Sequence, residues 1–125
     1  MNYCNQMLIT LRPWQWVKNA LVFVPIVFAL KIGTISDAYA VCACFGVFCL
    51  ASSAVYCAND LFDAKADSND VFNRTRPVAS GVLGKTPVAG LSLILLVSAV
   101  FVSFVFVSQI LTWIVIIYYV MNGLY

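Results

Sequence analysis

The sequence predicts an all-α protein, a polytopic transmembrane helix bundle of about four spans, and two observations carry that prediction. Hydrophobic residues fill 63% of the 125 positions and charged residues only 10%, where a soluble domain carries roughly 25% charged residues. The uncharged stretches are long enough to cross a bilayer, at about 20 residues per helix. A mean hydropathy of +0.97 leaves too little polar surface to coat a water-soluble globule, so that class is excluded.

Taken in order, the first apolar run covers 17–35, with Lys18 and Lys31 near its ends and Pro25 in its middle, and reads as a helix open to kinking. The second, 38–59, has 22 residues without a charge and is sufficient to cross. A polar motif loop, 60–86, follows. Beyond Lys85 no charge appears again through Tyr125. That stretch is twice the length of one span, and Ser108 and Gln109 at its middle offer a hairpin between spans at 87–107 and 110–125. The whole reads as one transmembrane domain without internal repeats.

Sidedness follows from Lys and Arg, which are retained in cytoplasmic loops. Arg12, Lys18, Lys65, Arg74, Arg76 and Lys85 fall in the N-terminal segment and the loop after span two, against Lys31 alone on the other side. The N-terminus and the motif loop are therefore expected in the cytoplasm of a multi-pass cell-membrane protein. Trp14 and Trp16, beside Arg12 and Lys18, stand as an interfacial anchor would.

Composition also narrows the chemistry. A net charge of +2 with no His and no Glu excludes a nucleic-acid-binding surface and any imidazole mechanism. Cys42, Cys44 and Cys49 lie in an apolar run and behave as small hydrophobes. No CxxC pair is present, so zinc and redox readings have no footing. The N-terminus lacks the cleavage pattern of a signal peptide.

Four of the five Asp residues crowd into one window, from Asn59-Asp60 to Asp70. On a helix continuing past Asn59, steps of about 100° place Asp60, Asp63 and Asp67 at roughly 0°, 300° and 340°, within one sector, with Asp70 at its edge. Like charges this close repel unless a cation sits among them. Oxygen ligands without His or Cys select Mg²⁺ or Mn²⁺. Mg²⁺ usually takes one or two carboxylates and completes its shell with water and substrate phosphates, so a phosphorylated or diphosphate substrate is implied. Arg74 and Arg76 follow closely, and Arg clamps phosphate in a bidentate way. The alternative is a solvated acidic loop with Arg as a positive-inside anchor.

Three pieces in order resemble the UbiA-type membrane prenyltransferase superfamily. Residues 12–19, Arg-Pro-Trp-Gln-Trp-Val-Lys-Asn, are similar to its opening RPxQWxKN. Residues 52–67, from Ser52-Ser53 through Tyr56 and Asn59-Asp60 to Asp67, resemble the SSAxY lead-in and the aspartate motif NDxxDxxxD. Residues 76–81, Arg-Pro-Val-Ala-Ser-Gly, resemble RPIASG, and Tyr118, Asn122 and Tyr125 fit the start of a later YxxxNxxY segment. The opening and lead-in are most similar to the decaprenyl-phosphate phosphoribosyltransferase branch. In two respects the sequence departs from it. Asp70-Val71-Phe72-Asn73 stands where the branch has HPxK, so a basic contact is replaced by Asn73. The family bundle has roughly nine helices, which at ~20 residues each exceeds this chain, so the resemblance implies its N-terminal part, without the second aspartate motif.

The resemblance implies Mg²⁺-dependent transfer of 5-phosphoribose from phosphoribosyl diphosphate to a polyprenyl phosphate. Asp60, Asp63 and Asp67 would be the catalytic metal-holding residues, and Asn59, Arg76, Lys18 and Tyr56 would contact substrate. The chain alone is expected to be inactive, since one aspartate cluster is one wall of a site. Two alternatives stay open: prenyl transfer from an isoprenoid diphosphate to an aromatic acceptor, and a non-catalytic membrane scaffold that binds a cation without turnover.

Overall fold

The computed structural model describes residues 3–24 and 35–124, all helix and turn, with no strand among them. A helix α1 spans Tyr3–Leu11, where the sequence predicts no element. It turns in Gln6 and Thr10, and the Thr10 hydroxyl is satisfied by the Gln6 carbonyl at 3.1 Å. Arg12 ends it in a left-handed conformation, φ 50° and ψ 54°. From there Pro13–Phe23 wind as a 3-10 helix of 11 residues, long for that geometry. Pro13 at its start supplies a pre-set φ and lacks only an N–H that would have had no helical partner.

The expected first span, 17–35, therefore begins in 3-10 rather than α geometry, and 25–34 lie outside the described residues. Three residues per turn bring Pro13, Trp16, Asn19 and Val22 onto one ridge. Those four are half-buried, while Trp14, Val17, Lys18, Ala20 and Leu21 are exposed.

Helix α2, Ile35–Phe62, is the axis of the bundle. Its 28 residues extend about 42 Å at 1.5 Å per residue. Ala51, Ser52, Ser53, Ala54, Cys57 and Ala58 are all buried, and such small side chains let neighbouring backbones approach closely from more than one side. A short helix α3, Ala64–Asn69, continues from it after a distortion at Asp63, whose ψ is −7°.

Residues 70–84 then fold back over α2 and α3. Val78 and Leu83 from this segment pack with Cys57, Ala64 and Val88, and Met7, Leu11 and Leu61 close the cluster. Gly81 makes the return possible: its φ of 76° suits only a residue without Cβ, and it closes a turn onto the Val78 carbonyl at 3.2 Å.

Helix α4 spans Lys85–Val102 and ends in a π-type turn, Ser103–Val107. After extended Ser108, helix α5 covers Gln109–Leu124. The Ser108 hydroxyl accepts from the Leu111 N–H at 3.2 Å, a helix N-cap. A second core of Val47, Ala51, Ala99, Leu111 and Val115 joins α2, α4 and α5. Ile35–Phe62 and Lys85–Val107 are long and apolar enough to cross a membrane; Gln109–Leu124 is apolar but shorter.

Candidate functional site

The polar residues of the 12–19 segment dock along one stripe of α2. On that helix Cys49, Ser52, Ser53, Tyr56 and Asp60 follow at steps of three and four, so they line one face. Opposite them, and antiparallel, lie Asn19, Trp16 and Arg12. The Asn19 amide donates to the Ser52 hydroxyl at 3.0 Å and toward the Cys49 sulfur at 3.7 Å. The Trp16 indole N–H donates to Ser53 Oγ at 2.9 Å, and that hydroxyl in turn donates to the Leu11 carbonyl at 3.0 Å. Every buried side-chain nitrogen and oxygen among the described residues has a partner.

Arg12 completes the stripe. Its Nη2 lies 2.6 Å from Asp60 Oδ1, and its guanidinium carbon stands 5.0 Å from the Tyr56 ring centroid. The left-handed backbone costs an L-residue about 1–2 kcal/mol. A charge-assisted bond and a cation–π contact to residues of another helix offset that strain. Asp60 is 3% exposed, so its charge requires these partners.

Arg76 supplies the second cation. Its Nη1 is 2.7 Å from Asp67 Oδ2 and 3.7 Å from Asp60 Oδ1, bridging two carboxylates two helical turns apart. The buried Pro77 and Val78 and the Gly81 turn hold the segment that carries it. Three of the four charged groups, Arg12, Asp60 and Arg76, line a cavity of about 300 Å³ with Ile9, Trp14, Gln15, Thr75 and Pro77.

Asp63 stands apart. An unbroken helix was expected to set Asp60, Asp63 and Asp67 on one face, but α2 ends at Phe62 and α3 begins at Ala64. Asp63, already about 60° from Asp60 on an ideal helix, is exposed, and shares with Asn59 a cavity of about 570 Å³ walled by Phe62, Asn122, Gly123 and Leu124. No three metal-ligating side chains converge among the described residues. Asp60 and Asp67 thus meet through Arg76, while Asn59 and Asp63 meet across from Asn122.

Of the other residues selected from sequence, Tyr56 lies under Arg12 and Arg76 lines the smaller cavity. Lys18 is exposed on the outer side of the 3-10 helix and lines neither cavity. Asn73, which replaces a basic residue, donates to Asp70 Oδ2 at 2.6 Å, while Asp70 Oδ1 accepts from the Phe72 N–H. The sequence points to Arg12, Gln15, Trp16 and Asn19 only as part of RPxQWxKN, and the structure adds all four to the stripe or the smaller cavity.

Fold and cluster together define a helical membrane protein with an ion-paired polar face at one end of its apolar helices. The chain is 37% identical over 108 residues to the decaprenyl-phosphate phosphoribosyltransferase of Corynebacterium glutamicum, an alignment covering 82% of this chain and 32% of that relative. A protein of the same name from Mycolicibacterium smegmatis is 35% identical over 82% of this chain and 33% of its own length. Another from Mycobacterium tuberculosis is 44% identical over 58% of this chain and 26% of its own. No protein-family model matches. The resemblance to this branch therefore holds, and the chain spans about a third of the length of the curated relatives it matches.

Proposed function

We propose that the chain forms the donor-binding face of a UbiA-type membrane transferase that moves 5-phosphoribose from phosphoribosyl diphosphate to a polyprenyl phosphate. The observation that carries this reading is the docking of 12–19 and 76–81 around the aspartate motif, which gathers Arg12, Asp60, Arg76 and Asp67 beside an open cavity. The names of the relatives, phosphoribosyltransferases of a decaprenyl phosphate, supply the substrate classes.

Mg²⁺ fits the donor set by its chemistry, since the motif offers oxygen ligands only and Mg²⁺ usually takes one or two carboxylates from a protein. One or two carboxylates among Asp60, Asp63 and Asp67 would hold it, and it would supply charge neutralisation for the departing diphosphate. Loss of diphosphate from the anomeric carbon builds negative charge on the leaving group. Arg12 and Arg76 are placed to take part of that charge through bidentate bonds. Tyr56 holds the Arg12 guanidinium in one plane, and Asn59 offers an amide to phosphate or ribose hydroxyls. Lys18, exposed on the outer side of the 3-10 helix, would attract anionic substrate toward the mouth without lining the cavity. The acceptor's tail dissolves among apolar helices while its phosphate stays at the interface.

The N-terminus and the motif loop face the cytoplasm in this reading. With Cys4→Ser and Cys42→Ser as background, since both native thiols are exposed, Ser68→Cys in intact cells should resist an impermeant thiol reagent, and labelling from outside would reverse the orientation. The purified chain in detergent should release no diphosphate above background from phosphoribosyl diphosphate, Mg²⁺ and polyprenyl phosphate, because one aspartate cluster leaves the leaving group oriented from one side only. Turnover abolished by Asp60→Asn would contradict this. Competition for the chain between phosphoribosyl and isoprenoid diphosphates should favour the former. Preference for the isoprenoid would support aromatic prenylation, and metal binding without either donor would support the scaffold.

A further inference from the structure

The following rests on the donor reading. Arg12 and Arg76 are the proposed phosphate contacts, and Asp60 and Asp67 are among the proposed cation ligands, yet the structure pairs these groups with one another at 2.6 and 2.7 Å. Neither set serves its ligand while it serves the other. Two guanidiniums and two carboxylates sum to zero charge, and a divalent cation offsets most of the charge of a diphosphate. We propose that the site loads by exchange of partners: the carboxylates pass from guanidinium to cation as the guanidiniums pass from carboxylate to phosphate.

Burial makes the two halves interdependent. Asp60 is almost fully enclosed and the side chain of Arg12 is 19% exposed, so an unpaired charge on either is heavily penalised. A cation entering alone strands Arg12 and Arg76, and an anion entering alone strands Asp60 and Asp67. The pair enters together with each side-chain charge partnered. Arg12 is suited to change partners. It sits at the junction of α1 and the 3-10 helix with its side chain partly open to solvent, so its guanidinium can turn from Asp60 toward the cavity by side-chain rotation. Its guanidinium already borders the cavity that Gln15, Thr75 and Arg76 also line, where the exchanged phosphate would lie.

The decisive experiment is Mn²⁺ binding to the purified full chain in detergent, followed by the free-ion EPR signal with no phosphate present. Wild type should bind Mn²⁺ weakly. Arg12→Gln, which releases Asp60, should bind it roughly tenfold more tightly while losing affinity for inorganic diphosphate added with Mn²⁺. Arg12→Lys keeps the charge at the carboxylate, and its Mn²⁺ affinity should stay near wild type, which separates exchange from misfolding. Arg74→Gln removes an equal charge from the exposed loop and should leave Mn²⁺ affinity within about twofold, as expected of a screened surface charge. Weaker or unchanged Mn²⁺ binding by Arg12→Gln, or an equal gain in Arg74→Gln, would overturn the exchange while leaving the donor reading in place. Failure of wild type to bind Mn²⁺ and diphosphate together would overturn both.

Discussion

Helix α2 is gripped differently on its two sides. Toward the 3-10 helix the contact is mainly polar: Arg12, Trp16 and Asn19 meet Asp60, Ser53 and Ser52 through an ion pair and two side-chain hydrogen bonds, with Phe23 against Phe45 at the far end. Toward α4 and α5 it is built on Val47, Ala51, Ala99, Leu111 and Val115. The polar links there are hydroxyls, with Ser92 bonded to the Ala54 carbonyl and Tyr119, and Ser103 to Thr112. Outward, α4 and α5 expose Leu93, Ile94, Val97, Phe101, Trp113 and Ile117, as surfaces facing lipid do. Apolar packing between membrane helices gains little over packing against lipid tails. The α4 and α5 side thus relies on close small-residue fit, whereas the 3-10 side relies on paired charges and directional bonds. Directional bonds fix the position of functional groups, and the charged cluster lies on that side.

The largest test of this contrast is Asp60→Ala. Removing the buried carboxylate strands Arg12 and weakens the hold on Arg76, and breaking such a pair costs about 3–5 kcal/mol. Thermal unfolding in detergent, followed by tryptophan fluorescence, should show the loss, and a change below about 1 kcal/mol would mean the pair behaves as a surface salt bridge. Ser53→Ala comes next. It leaves both the Trp16 indole N–H and the Leu11 carbonyl without their partner, a cost of about 2 kcal/mol measurable by denaturant titration. On the other side, Ser92→Ala should cost less, roughly 0.6–1 kcal/mol, because the Ala54 carbonyl lies within a helix and Tyr119 is only half-buried. Equal losses at Ser53 and Ser92 would erase the distinction between the two faces.

Much of the architecture was legible because composition alone demands it: a chain this apolar has to pair its backbone internally, and helices do so. The relationship to the phosphoribosyltransferase branch was legible from RPxQWxKN and the aspartate motif, which the comparisons support. Side-chain direction was not. Lys18 was selected for its charge and lies on the exposed side. Arg12, in the same motif, carries the ion pair. At either about 100° or about 120° per residue Trp16 and Asn19 share a side and Lys18 falls off it, so what periodicity left open was which side of the segment meets α2, and the bonds of Trp16 to Ser53 and Asn19 to Ser52 answer that. The one-face reading of Asp60, Asp63 and Asp67 spans a sector of about 60°, and within it Arg76 joins Asp60 and Asp67 while Asp63 is exposed.

The central claim, that this face receives a metal-bound donor diphosphate, is tested most directly by calorimetric titration of the purified chain with phosphoribosyl diphosphate in the presence and absence of Mg²⁺. The account predicts saturable binding that requires Mg²⁺ and weakens by roughly tenfold or more in Asp67→Asn, whose carboxylate meets Arg76 beside the cavity that Arg12 and Asp60 line. Asp70→Asn, whose carboxylate is engaged by Phe72 and Asn73, should weaken it far less. Binding that is indifferent to Mg²⁺, or that survives Asp67→Asn unchanged, would contradict the claim.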